Sequence, residues 1–218
     1  MQLEALALKI AVSAIPIIFA ITVHEAAHGY AAKYFGDFTA EKLGRITLNP
    51  LKHIDPLGTV ILPAITLMVG GVLFGWAKPV PVNFGNLRNP KKDMLWVAAA
   101  GPASNLVMAI LWGILLGFVK RGLDAGDFST IAYLIIDMAY VGITINIVLM
   151  VLNLLPLPPL DGGRIAVSLL PNNLAYQLSR TEKFGFIILI ALMFMGVLGK
   201  ILAPFIGFFQ QIIFAIFV

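Results

Sequence analysis

Two histidines and a glutamate interrupt a largely apolar stretch, AITVHEAAHGYAAKYFG, at residues 20–36. His24 and His28 are four residues apart, so on a helix they share one face, one turn from each other. Two imidazoles placed this way can bind one Zn²⁺, an ion that lowers the pKa of water bound to it to about 7. Glu25, beside the first histidine, can take a proton from that water and return it to a leaving amine after attack on a carbonyl. The plain alternative is a pair of hydrogen-bonded buried histidines. Three such groups in one apolar span are expensive without a function, which favours the metal site.

Catalytic zinc takes three protein ligands and a water. The chain has no cysteine, so the third ligand must be a histidine or a carboxylate. His53 is the only other histidine; in the polar loop PLKHIDP its ordinary reading is a solvated surface residue. Asp137 sits near the start of its apolar segment, on the wrong side for the histidines. Asp161 follows a spanning segment in NLLPLPPLDGG, among prolines and glycines that stop a helix and shape the backbone. A lone DG would read as a turn. Here Asp161 is well placed to bring a carboxylate to the depth of the two imidazoles.

The elements that must position these groups are membrane segments. Of the 218 residues, 60% are hydrophobic and 12% charged, against about half and a quarter in soluble domains. Apolar segments cover 4–34, 94–119 and 130–155, and a tail from 184 to 218 reads as one kinked crossing or a hairpin of two short ones. The expected fold is an all-α membrane protein, a polytopic helical bundle of about 4–6 membrane segments. Short β-strands are expected in its cytoplasmic-side loops, at RITLNP (45–50) and PVPVNF (79–84). Residues 1–218 read as a single membrane-embedded domain, with a core over 4–165 and C-terminal membrane segments over 166–218. The N-terminal apolar run continues into the histidine segment, so a cleaved signal peptide is not expected. No basic patch with interleaved aromatics occurs, so nucleic acid is not an expected partner.

The site constrains the topology. His24 and His28 lie near the end of the first span and Asp161 beyond the end of 130–155, so those two ends belong on one side of the bilayer. With 94–119 running the other way, residues 35 and 93 share that side, and 58–74 must be re-entrant or lie along the surface. Pro63 and Gly70-Gly71 suit a re-entrant segment, since irregular backbone at membrane depth survives only under protein cover. That side collects Lys33, Lys42, Arg45, Lys52, Lys78, Arg88, Lys91, Lys92, Arg164, Arg180 and Lys183. The other receives Lys9, Lys120 and Arg121, with Lys200 unassigned, which makes the first side cytoplasmic.

HEAAH, GPASN (101–105) and NLLPLPPLDGG, in this order and in apolar context, resemble the site-2 proteases, intramembrane zinc metalloproteases of the M50 peptidase family. The likeness runs from the first span to about residue 165, without an inserted PDZ-like or a following nucleotide-binding domain. It implies that His24, His28 and Asp161 hold one Zn²⁺ per chain and that Glu25 is the general base and acid. It also implies that Asn153 hydrogen-bonds the substrate backbone or the developing oxyanion. Asn105 reads as an interhelical hydrogen-bonding residue near the site, and Gly101 and Pro102 as allowing close helix approach or a local break. The implied setting is the prokaryotic cell (inner) membrane, with the site toward the cytoplasm and transmembrane proteins as substrates.

A substrate helix must unwind before its carbonyl can be attacked, and an extended substrate can be held at a strand edge such as 45–50 or 79–84. A CAAX-type membrane metalloprotease is the neighbouring alternative, but it needs a glutamate on a later helix, and none lies in a later span. A non-catalytic transporter or metal-binding scaffold would have no use for Glu25.

Overall fold

The computed structural model describes residues 2–61, 75, 77–124 and 130–218. Helix α1 (Gln2–Tyr34) ends at Phe35-Gly36, where Gly36 takes φ 109°, a left-handed conformation open to glycine without strain. A short helix α2 (Thr39–Lys42) follows. Helix α3 (Pro90–Asp124) starts with proline at its first position, and Asp93 Oδ2 accepts the Asn89 N–H at 2.7 Å, closing the helix start. Next come α4 (Thr130–Asn153), α5 (Asp161–Leu169), α6 (Asn172–Ser179), α7 (Glu182–Phe194) and α8 (Val197–Phe217).

Among the described residues, four helices are long and apolar enough to cross a membrane: Ile10–Tyr34, Pro90–Leu123, Thr130–Asn153 and Val197–Phe217. The C-terminal tail contains two helices of unequal reach. At 13 residues α7 extends only about 20 Å and is too short to span alone. It meets α8 at Gly196, whose φ of 69° breaks the helix.

Helices α1, α3 and α4 pack on one another; α5 lies against α3, and α8 against α4 and α3. Leu116, Ile143, Ile147 and Met150 form the core with Leu189, Leu198, Leu202 and Ile213 from the C-terminal helices. Gly117 of α3 sits so close to the Phe217 carbonyl of α8 that any side chain there would collide with it, the small-residue contact that lets membrane helices approach. Arg88 donates from its backbone to Phe35 O and from its guanidinium to Tyr34 O. Lys91 donates to Leu170 O and Asn172 Oδ1. These bonds gather the end of α1, the start of α3 and the α5–α6 turn at one end of the bundle.

The fold departs from the sequence reading in its loops. Among the described residues there is no β-strand, and both expected strands, 45–50 and 79–84, are irregular. Backbone accounting gives the reason. Pro79 and Pro81 have no N–H, so two positions on the same face of the second segment lack a ladder donor. Two of its N–H groups go to side chains instead: Val80 N donates to Glu25 Oε2 and Asn83 N to Asp37 Oδ2, each at 2.7 Å. The carbonyls of Lys78 and Pro79 accept from the Arg45 guanidinium, which occupies the place of a partner strand. In the first segment, Asn49 turns the chain by bonding Thr47 and capping the turn at Pro50–Lys52. Pro56–Ile61 forms a π-helical turn, and the remainder of the expected re-entrant segment 58–74 lies outside the described residues.

Candidate metal centre

The two histidines stand on α1 one turn apart, ring centroids 4.7 Å from each other, with Nε2 atoms 3.1 Å apart. Asp161 is the first residue of α5, and its Oδ2 lies 3.3 Å from His24 Nε2 and 3.4 Å from His28 Nε2. All three residues are largely shielded, with side-chain exposures of 9%, 12% and 13% for His24, His28 and Asp161. The glycines of the DGG motif allow this delivery. A side chain at Gly162 would strike the carbonyls of Leu154 and Leu155, and one at Gly163 would strike Leu157 and Pro158. The first turn of α5 therefore folds tightly back onto the segment leaving α4.

The outer ring nitrogens are already engaged. His28 Nδ1 donates to Val97 O at 2.8 Å, and His24 Nδ1 donates to Asn105 Oδ1 at 2.6 Å. Each imidazole carries its proton on Nδ1 in these bonds, so both Nε2 lone pairs point inward. Asp161 Oδ2 is buried there without a hydrogen bond. Three acceptors thus face one another with no donor between them, an arrangement a cation relieves. The dimensions fit zinc: bonds of about 2.0–2.1 Å at tetrahedral angles put neighbouring ligand atoms about 3.3–3.4 Å apart. The observed separations are 3.1, 3.3 and 3.4 Å.

Gly101 supplies the room. A Cβ built there would fall 2.6 Å from both His24 Cε1 and His28 Cε1 and onto His28 Nε2. The glycine of GPASN is therefore the floor under both rings. Its neighbour Pro102, inside α3, leaves that helix one ladder donor short beside Val97, whose carbonyl receives His28.

Glu25 is half-buried, and its Oε2 accepts the Val80 N–H at 2.7 Å. Val80 is buried and packs its side chain near Gly29, one turn further along α1. The sequence reading did not anticipate Val80, because a loop amide leaves no pattern in residue types. Asn153 is not drawn into the histidine–aspartate cluster by its hydrogen bond: its amide donates to Leu149 O, one turn back on α4. His53 is buried rather than solvated and holds the loop, with Nε2 2.9 Å from Thr47 O and its backbone carbonyl accepting from Lys78 N. Asp137 is exposed on α4, about 24 Å along the helix axis from Asn153.

The description Peptidase family M50 matches residues 12–197. The Bacillus subtilis (strain 168) protein named "Putative zinc metalloprotease YwhC" is 42% identical over 181 residues, covering 82% of this chain and 78% of the relative. The zinc metalloproteases named Rip2, given under the same qualifier, are 33% identical over 185 residues in Mycolicibacterium smegmatis and 27% over 175 in Mycobacterium tuberculosis H37Rv. Those matches cover 84% and 80% of this chain but 66% and 63% of the relatives. No solved structure matches the chain at a significant level. With its motifs in order and the family match spanning most of its length, the chain belongs to peptidase family M50, the membrane zinc metalloproteases that include the site-2 proteases.

Proposed function

We propose that the protein hydrolyses peptide bonds in or beside transmembrane helices of other membrane proteins, with His24, His28 and Asp161 holding one zinc ion and Glu25 moving the proton. The observation that carries this reading is the triangle of inward-facing acceptors at 3.1, 3.3 and 3.4 Å. A zinc ion held there supplies Lewis-acid activation of water and of the scissile carbonyl. Glu25, fixed through Oε2 by the Val80 amide, takes the proton of the attacking water and delivers it to the departing amine. Asn153, on the last turn of α4, donates to the substrate backbone or its oxyanion once its amide leaves the Leu149 carbonyl. The basic residues at the site end of the bundle, Arg88 and Lys91 among them, favour a cytoplasmic orientation in a prokaryotic inner membrane.

The test is zinc content and cleavage of a transmembrane-helix substrate by detergent-purified wild type, Asp161→Ala and Glu25→Gln proteins. About one zinc per chain is expected in wild type and Glu25→Gln, with loss in Asp161→Ala and no cleavage by either variant. Full zinc in Asp161→Ala would return His53 to consideration as third ligand. Cleavage by Glu25→Gln would end the proton-transfer assignment.

A further inference from the structure

A second polar residue, outside the motifs, lies buried behind the site. Asn146 occupies the middle of the apolar run ITINIVLM on α4 and has 0% exposure, as does Asn105 on α3. Asn146 Nδ2 donates to Gly142 O at 2.8 Å, and Asn105 Nδ2 donates to Asn146 Oδ1 at 2.9 Å. Asn105 Oδ1 is left to face His24 Nδ1 at 2.6 Å. A weaker contact of 3.4 Å joins Asn105 Nδ2 to Ala20 O.

The direction of this chain is not free. A backbone carbonyl can only accept, so Gly142 O fixes the Asn146 amide with its nitrogen toward Gly142 and its oxygen toward Asn105. That oxygen fixes Asn105 in turn, since a flipped amide would set oxygen against oxygen. The Asn105 oxygen then requires a proton on His24 Nδ1, which leaves the Nε2 lone pair for a metal. His28 needs no such relay, because a backbone carbonyl, Val97 O, fixes it directly.

We propose that Asn146 is a positioning residue for the metal centre: acting through Asn105, it sets the tautomer of His24 and locks α4 to the ligand helix α1. The inference rests on the zinc reading above. Outer partners of metal-bound histidines affect affinity by about 10–100-fold, and an intramembrane asparagine without such a task would be an unexplained burden.

The experiment is zinc affinity of the full-length detergent-purified protein, by competition with a chromophoric chelator, for wild type, Asn146→Leu, Asn146→Asp, Asn105→Leu and the double leucine variant. Asn146→Leu is expected to weaken zinc binding about 10–100-fold. Asn146→Asp is expected to bind close to wild type, because a carboxyl kept neutral by its apolar surroundings donates its O–H to Gly142 O and accepts from Asn105 Nδ2, as the amide does. The double variant is expected to bind no more weakly than Asn105→Leu alone, since Asn146 acts only through Asn105. Asn146→Ala, which adds no bulk, replaces Asn146→Leu should the latter fail to fold.

Wild-type affinity in Asn146→Leu, equal weakness in Asn146→Asp, or losses that multiply in the double variant would each overturn the relay. Those results would point to packing alone. A wild-type protein that binds no zinc would instead refute the metal centre itself, and the relay with it.

Discussion

Replacing Gly101 by alanine separates the metal centre from the fold. The new Cβ would lie 2.6 Å from a ring carbon of each histidine, whereas carbon atoms in contact ordinarily sit about 3.5–4.0 Å apart. Both rings must retreat by roughly 1 Å, several times the ~0.2 Å tolerance of a zinc–nitrogen bond. The same retreat strains the Nδ1 bonds to Asn105 and Val97. Displacement of that size costs about 10²-fold in catalysis, and zinc affinity should fall at least as far as loss of an outer partner takes it, about 10–100-fold.

Stability should move much less. Alanine gains about 0.5–1 kcal/mol over glycine in a helix interior, while overpacking loses about 1–3 kcal/mol. The chelator-treated Gly101→Ala protein should therefore be destabilised by no more than about 2.5 kcal/mol. The control is Gly199→Ala in α8, where nothing lies within 4 Å of the added methyl; zinc and activity should be unchanged. Zinc competition and thermal unfolding of the chelated proteins read both quantities. Wild-type zinc affinity in Gly101→Ala would refute the packing of the rings on Gly101. Wholesale unfolding would show that the glycine serves helix contact rather than the imidazoles.

Three further outcomes are expected. Removing zinc with a chelator should lower the unfolding midpoint of wild type but not of Asp161→Ala, because a ligand at 100 times its Kd stabilises the folded state by about 2.7 kcal/mol; equal midpoints with and without chelator would refute a folded-state site. Asp37 is fully buried, which by itself opposes ionisation, but bonds from Thr39, Asn86 and Asn83 outweigh this and hold its carboxyl below its ordinary value of 3.8. Its stabilising contribution is thus present above the ordinary carboxylate range and lost as pH falls through the lower folded value. Asp37→Ala should cost about 2–3 kcal/mol near neutral pH and flatten the acid limb of unfolding; an unchanged acid limb would refute this. Val80→Pro removes the N–H that holds Glu25 along with the valine side chain near Gly29, and Val80→Ala, which keeps the N–H, is its control; zinc content should stay in both and cleavage should fall further in Val80→Pro, and equal cleavage by the two would show that the anchor is idle.

The candidate site's helix was legible because residue types and helical period coincide in five residues. His24 and His28 at a spacing of four share one helix face, and Asp161 of the DGG at 161–163 meets them from a tight turn. The all-helical bundle followed from apolar length. The loops did not yield to the same reasoning, since alternation in RITLNP and PVPVNF reports side-chain pattern, whereas strand formation depends on where each N–H finds an acceptor. The prolines at 79 and 81 carried that warning. Asn146 left a signal too, as a single amide inside ITINIVLM, but only the packing of α4 against α3 shows which residue it serves.

The positions of Glu25, Asp37 and the loop between Lys78 and Asn83 form one mechanical unit. In a protein surrounded by hydrocarbon, loop amides near the bilayer cannot be left without acceptors. This loop meets that demand with carboxylates at the two ends of the same stretch: Val80 N on Glu25, within α1, and Asn83 N on Asp37, just beyond it. Arg45 holds the intervening carbonyls of Lys78 and Pro79 from the other side. The loop is thereby pinned across the end of the helix that bears both histidines. One oxygen of Glu25 is committed to the loop, and the aim of the other is set by where the loop lies. The proposed metal ligands depend instead on α3, α4 and α5, through Val97, Asn105 and the DGG turn. On the proposed assignment, metal retention and proton transfer therefore rest on different parts of the chain, so substitutions in the loop should alter cleavage while leaving the zinc in place.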